Sequence, residues 1–287
     1  MSQTPKVAVV TGASRGAGQG IATALGQHGC IVYVTGRSEK AGDAPLPGTI
    51  YETAAAVTAA GGQGIAVRVD HGDDEQTRAL FDRVRAEQGH IDILVNNVAA
   101  IHDELTLPGR FWEKPLKLAD IITVGIRSSY VASYHAAPMM VDRGQGLIVF
   151  TSGSGASHYV YGPGYGAHKV SQDKMAADTA VDLRDTGVTA LSIWMGALRT
   201  GRLLQLIASD PAKYAYLEKM VETPEFTGHV IWALSQDPAL ADHAGQTLIG
   251  AELAEHYGLR DVGDRQPPSY RQSYGVAPLP QYDRIIR

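Results

Sequence analysis

The sequence predicts an α/β fold in which one parallel sheet is covered by helices on both faces. Three observations point there. Short β-branched runs alternate with alanine-rich or amphipathic stretches almost throughout the chain, which is the rhythm of right-handed βαβ crossovers. The runs carry little polar alternation, as expected of strands buried on both faces. The 32 glycines cluster where runs end and helical stretches begin, so they are turn residues rather than linker composition.

Taken in order, a first strand is expected over 7–11, and the glycine-rich turn after it opens a helix over 18–27. A second run at 31–35 leads through an alanine-rich helix at 51–60 to a third at 64–69. An amphipathic helix at 74–88 precedes a fourth strand at 91–96. A long connection with His102, Phe111 and Trp112 then leads into a helix over 118–142. Strands at 146–151, 188–194 and 247–250 alternate with helices at 165–185 and 227–235. From Gly258 onward the chain is rich in proline (Pro267, Pro268, Pro278, Pro280) and tyrosine and shows no period. It is expected to be a surface extension, packed or partly disordered. The division is therefore a domain at 1–257 and an extension at 258–287.

Composition narrows the function. At 287 residues, 44% hydrophobic and 19% charged, the chain can bury a sizeable core. A net charge of −5 and no basic run argue against a nucleic-acid partner. The single cysteine, Cys30, excludes an internal disulfide framework and fits a reducing, cytoplasmic setting. No apolar run reaches the ~18 residues of a membrane span. Lys6 to Val10 reads as a strand rather than part of a signal peptide. The histidines lack metal-ligand spacing, so no metal is expected.

The chemistry begins at Thr11-Gly12-Ala13-Ser14-Arg15-Gly16-Ala17-Gly18. Gly12 can bend the chain sharply, while Gly16 and Gly18 let backbone approach a pyrophosphate and let helix pack on strand. The helix N-terminus then offers free N–H groups to phosphates. The second strand ends Thr35-Gly36-Arg37-Ser38, with no carboxylate for a ribose 2′-hydroxyl. Arg37 and Arg15 instead suit a 2′-phosphate, so NADP(H) is expected ahead of NAD(H). Farther along, Tyr165 and Lys169 lie four residues apart on one helix face. An ammonium beside a phenol lowers a pKa near ~10 and makes Tyr165 a usable acid or base. Ser152 ends the preceding strand, where its hydroxyl could orient a carbonyl.

These residues resemble the short-chain dehydrogenase/reductase family over roughly residues 5–255. The glycine turn, Asn96-Asn97-Val98-Ala99, the Ser152, Tyr165 and Lys169 set, and Met195-Gly196 with Thr200 fall in the family's order. Further stretches, Phe111-Trp112-Glu113-Lys114-Pro115, Val124-Gly125-Ile126-Arg127 and Tyr257-Gly258-Leu259-Arg260-Asp261-Val262, are similar to its dehydrogenase/reductase member 1-like branch. The resemblance implies a Rossmann-type doubly wound parallel sheet in one domain, with carbonyl/alcohol interconversion by hydride transfer. It implies a cofactor held by Gly12, Ser14, Arg15, Gly16, Ala17, Gly18, Arg37, Asp70, His71, Asn97, Val98, Tyr165, Lys169, Gly196 and Thr200. It also implies a homodimer or homotetramer formed through the helices at 118–142 and 165–185, with Ala176, Ala177 and Ala180 allowing close approach.

The chain departs from the family at Gly125, where a catalytic asparagine is usual, at Met195 for proline, and at Ala99 for glycine. Gly125 is expected to mark a locally opened helix whose main-chain carbonyl could hold a relay water near Lys169; the alternative is that it only makes room for a neighbour. His168 is expected to point away from the Tyr–Lys face, and Cys30 and Trp194 to be core. His102, Phe111, Trp112, His158 and Tyr159 are the substrate-pocket candidates, suiting an apolar ketone or aldehyde. The competing class is a non-catalytic NADP-binding sensor or regulatory protein. The intact Ser152, Tyr165 and Lys169 argue against it, and Gly125 leaves it open. Gly162, seven residues before the lysine, excludes an enoyl reductase of the family.

Overall fold

The structure, a computed structural model, describes residues 4–282 and 284–286. Its strands are β1 (Val7–Val10), β2 (Ile31–Gly36), β3 (Gln63–Arg68), β4 (Ile93–Asn96), β5 (Gly146–Ser152), β6 (Val188–Trp194), β7 (Ala197–Leu198), β8 (Val221–Glu222) and β9 (Thr247–Ile249). Seven form one parallel sheet in the order β3-β2-β1-β4-β5-β6-β9, and β7 pairs with β8 apart from it. The order turns back at β1, so β1 and β4 diverge at a switch point, where open α/β sheets form their ligand crevice.

The helices are α1 (Gly16–Gln27), α2 (Ile50–Ala59), α3 (Asp74–Gln88), α4 (Asp120–Thr123), α5 (Gly125–Val141) and α6 (Pro163–Asp182). They are followed by α7 (Gly201–Ser209), α8 (Pro211–Tyr214), α9 (Pro224–Gln236), α10 (Gly250–His256) and α11 (Tyr270–Tyr274). One face of the sheet buries Ile21 and Leu25 of α1 with Phe226 and Val230 of α9. The other buries Leu80 and Phe81 of α3, Ala132 and Ala136 of α5, and Ala176 of α6. All four side chains of β1 are buried, which explains the absence of polar alternation. Each full valine burial stabilises by roughly 1.5–3 kcal/mol.

Local signals set the ends. Thr49 and Glu52 form a capping box at the start of α2, and Asp73 accepts from the backbone N–H groups of Glu75 and Gln76 at the start of α3. Gly89 closes α3 in the left-handed conformation at φ 76°.

Two expectations need correcting, and two further stretches carry structure that showed no period in the sequence. The helix over 118–142 is not continuous: a 3₁₀ turn at Leu116–Ala119 leads into α4, and a turn at Val124 separates α4 from α5. Ala176, Ala177 and Ala180 do not offer a free stripe. Ala176 is fully buried, and a Cβ on Gly245 would lie 3.4 Å from Ala180 Cβ and 3.6 Å from Ala177 Cα. Helices α7, α8 and α10 occupy segments that showed no clear period. Finally, the extension contains a bridge between Asp261 and Arg265 and the short α11, started by a Ser269–Gln272 capping box and ended by Gly275.

Candidate active site

The glycine turn sits at the carboxyl end of β1, with Gly12 at φ 64° and Gly16 at φ 59°, both left-handed. A Cβ on Gly18 would stand 2.5 Å from the Gly12 carbonyl oxygen, so only glycine lets α1 start this close to the strand. A Cβ on Gly16 would meet only Thr200, at 3.7 Å, which leaves a backbone-lined space between the turn and the start of α7. Arg15 caps α1 without a side-chain bond, so the first N–H groups stay available to an anion. Asn97 ties the turn down: its Nδ2 donates to the Thr11 and Gly12 carbonyls at 3.0 and 3.1 Å.

Beside this turn, Arg15 donates to Ser38 Oγ at 2.7 Å and to the Gly48 carbonyl at 2.8 Å. Burial and the neighbouring Arg37 charge hold the Arg15 pKa below its ordinary value. Arg37 makes only a loose pair with Asp70, at 3.7 Å, and its side chain is 68% exposed. Two neighbouring guanidinium groups, one of them loosely paired with a carboxylate and the other, among the described residues, with none, fit a dianionic phosphate. Asp70 otherwise accepts from the Gly72 N–H at 2.9 Å. His71 lies elsewhere than its expected role: its ring is buried, Nε2 is 2.8 Å from Thr35 Oγ1, and burial lowers its pKa to about 4. It braces β2 from within.

At the other end of the crevice, β5 delivers Ser152 and α6 delivers Tyr165 and Lys169. Gly162, at φ 121°, turns the chain into α6, and Pro163 fills its first position. A Cβ on Gly155 would stand 2.6 Å from Tyr165 Cε1, while one on Gly153 would be 3.9 Å from the phenolic oxygen. The glycines after Ser152 therefore make the slot for the tyrosine ring. Tyr161, held left-handed at φ 59°, sets its ring edge-on to Tyr165 at 5.3 Å. A bulky residue in that region stores strain.

The electrostatics differ from the simple expectation. Lys169 Nζ lies 5.6 Å from the Tyr165 ring centroid and donates to the Thr151 carbonyl at 3.4 Å. Burial lowers its pKa to about 8, opposed by Asp173. Burial, with Tyr161 adding to it, pushes the Tyr165 phenol above its ordinary value, so here desolvation outweighs the ammonium. The Ser152 hydroxyl donates to the Lys169 carbonyl at 3.0 Å and would have to rotate to reach a substrate.

Gly125 has a steric reason. A Cβ there would lie 2.8 Å from His168 Cδ2 and 2.9 Å from His168 Nε2. The His168 ring is buried and its nitrogens make no hydrogen bond; burial and the Lys169 charge lower its pKa to about 3. It is therefore a neutral packing group, not a solvated one. The expected free carbonyl at Gly125 is also corrected, because that oxygen accepts from the Ser128 and Ser129 hydroxyls at 3.3 and 3.2 Å.

Of the substrate candidates, His158 has Nε2 2.9 Å from Ser154 Oγ, and His158 and Tyr159 line a cavity together with Gly155 and Gly162. Phe111, Trp112 and Tyr159 are exposed, and the rings of the first two meet edge-on with centroids 5.1 Å apart. His102 pairs with Asp120 at 2.8 Å. Several neighbours carried no sequence signal. Tyr270 of the extension meets Trp194 edge-on at 6.2 Å. Glu222 accepts from the Gly196 N–H at 3.0 Å, while its Oε2 has no partner and burial pushes its pKa up to about 7. Asp173 was hidden as one more polar residue of α6. Among the described residues, no cluster of three or more His, Cys, Asp or Glu side chains is placed to hold a metal ion.

Comparison with known proteins adds the following. A family model described as short chain dehydrogenase matches residues 6–209. The chain is 38% identical over 276 residues to human "Dehydrogenase/reductase SDR family member 1", covering 92% of this chain and 86% of that protein. It is 28% identical over 250 residues to a 3-oxoacyl-[acyl-carrier-protein] reductase of Synechocystis, covering 85% of this chain and 95% of the other. A crystal structure of a short chain dehydrogenase from Mycobacterium thermoresistibile superposes with a TM-score of 0.75 at 26% identity, covering 92% of each chain.

Proposed function

The chain belongs to the short chain dehydrogenase family, and on that premise we propose that it is an NADP(H)-dependent oxidoreductase. It interconverts an apolar ketone or aldehyde and its alcohol, with Tyr165 as general acid and base. The observation that carries this reading is the Tyr165–Lys169 pair, set at the carboxyl edge of the sheet with the ammonium 5.6 Å from the ring.

Gly12, Ser14, Gly16, Ala17, Gly18 and Thr200 would hold the pyrophosphate end of the cofactor, and Asn97, Val98 and Gly196 its nicotinamide end. Arg15 and Arg37 would take the 2′-phosphate, their adjacency favouring NADP(H) over NAD(H). The bound nicotinamide supplies or accepts the hydride.

The remaining chemistry falls to the chain. Burial keeps Tyr165 protonated at neutral pH, the form that donates to a developing alkoxide in the reductive direction. Lys169 stays charged below about pH 8 and stabilises the phenolate left behind. Tyr161 and Tyr270 close apolar surface around the acid.

The face of α5 and α6 that exposes Tyr130, Tyr134 and Val170 is where we place a homodimer or homotetramer contact. The buried free Cys30, its thiol pushed up to about 12 by burial, accords with a cytoplasmic setting. No described helix is long and apolar enough to cross a membrane. Offering the purified protein aryl and alkyl ketones, aldehydes and diketones with NADPH tests the reading. Turnover of at least one is expected, faster than with NADH; no turnover of any would overturn it.

A further inference from the structure

Asp173 stands one helical turn beyond Lys169 on α6, a spacing that puts both groups on the same face. Only 4% of it is exposed. Its Oδ1 accepts from the Ser192 hydroxyl at 2.6 Å and its Oδ2 from Trp194 Nε1 at 2.9 Å. Both donors belong to β6, and Ser152 of β5 also faces the carboxylate. An indole N–H can only donate, so the pocket is built for an acceptor. The arrangement sits next to the reacting groups but touches neither the phenol nor the substrate space.

A buried carboxylate this close to a buried ammonium is an unusual placement, because each alone would be driven toward its neutral form. Lys169 has one long hydrogen bond, to Thr151, and among the described residues neither it nor Asp173 is in direct ion-pair contact with any group, so the two charges act on each other through the buried space between them. The other titratable neighbours do not substitute for Asp173. On α6 these are the neutral His168 and Tyr165; from the preceding loop comes Tyr161, and beyond Trp194 lie Tyr270 and Glu222. β5 and β6 contribute only Thr151, Ser152, Ser192 and Trp194 at this point.

We propose that Asp173 is a positioning residue for the proton-transfer pair: clamped to β6 by Ser192 and Trp194, its carboxylate is the buried counter-charge that keeps Lys169 an ammonium at neutral pH. This rests on the reading of Tyr165 and Lys169 as that pair. Burial raises the Asp173 pKa, while the Ser192 hydroxyl and Trp194 indole donors, the nearby Ser152 hydroxyl and Lys169 lower it; Asp173 in turn raises that of Lys169. The two charges support each other, and β6 supports both.

Asp173→Asn tests this because it keeps the volume, can accept from Trp194 and can donate to Ser192. Two readouts are needed. In full-length protein labelled with ¹³C at the lysine ε-carbon, Lys169→Arg identifies the resonance of Lys169. Its titration midpoint, near pH 8 in the parent, should fall by at least one unit in Asp173→Asn. With NADPH and 1-phenyl-1,2-propanedione as probe, kcat at pH 7.5 should fall at least about threefold, the loss of charged Lys169 that a one-unit shift brings, and recover toward the parent at pH 6, with KM for NADPH unchanged. Trp194→Phe removes one donor but keeps the carboxylate: it should lower the melting temperature and shift the Lys169 midpoint by clearly less than Asp173→Asn does.

An unchanged midpoint in Asp173→Asn, or an equal shift in Trp194→Phe, overturns the proposal. If the parent reduces none of the carbonyls offered, the catalytic reading is what fails, and the lysine titration still decides whether Asp173 holds the charge.

Discussion

The two ends of the crevice use charge in opposite ways. At the end that carries Arg15 and Arg37, Arg37 is mostly in water and only loosely paired, so its effect on anything it binds is screened and modest. At the catalytic end, Lys169, Asp173 and Glu222 are all buried, and their proton affinities are displaced toward the neutral form. The first arrangement chooses a ligand. The second sets protonation states, and it does so with groups drawn from α6, β6 and β8 that meet only in the folded chain.

The largest effect short of catalysis should come from Glu222. Its carboxyl is raised to about 7 in the folded protein from an ordinary value of 4.5. Its favourable contribution is therefore full below about pH 4.5 and is lost as pH rises through 7. Between pH 5 and 8.5, the parent should lose about 2–3 kcal/mol relative to Glu222→Gln in urea unfolding. A constant difference across that range would mean that this end is less buried than described.

Gly125→Asn sharpens the same contrast. The new Cβ would press on His168 Cδ2 at 2.8 Å, and overpacking of this kind costs about 2 kcal/mol. Adding His168→Ala should recover at least half of that loss. If the double variant is no more stable than the sum of the two single changes, the two positions do not share one space.

At the exposed end the expected change is smaller. Calorimetry should give NADPH at least a tenfold advantage over NADH, about 1.4 kcal/mol, and Arg37→Asp should reverse the order. Equal affinities in the parent would assign the two arginines to the surface alone.

How much of this was legible in the sequence follows the same division. The glycine turn and Arg37 lie in contiguous segments, and Tyr165 and Lys169 share a helix face, so local pattern sufficed. The seven strands and most helices showed in their periods for the same reason. Asp173 looked like any polar residue of α6 because its partners, Ser192 and Trp194, are 19 and 21 residues away. Glu222 meets Gly196 across 26 residues, and Gly125 needed His168 to explain it. The aromatic loop residues divide: His158 and Tyr159 line a cavity, whereas Phe111 and Trp112 expose most of their side chains. Residue type was legible; orientation was not.

The central claim is that Tyr165 carries the proton, in a site whose cofactor affinity is set elsewhere. Tyr165→Phe tests it most directly, with NADPH binding measured by calorimetry and turnover measured on whichever carbonyl the parent reduces best. The account predicts an NADPH dissociation constant within about threefold of the parent, since the hydroxyl lost is far from the arginines. It predicts that kcat falls by ~10²–10⁴, the range of a lost general acid. A variant that binds NADPH normally and turns over within tenfold of the parent would contradict it.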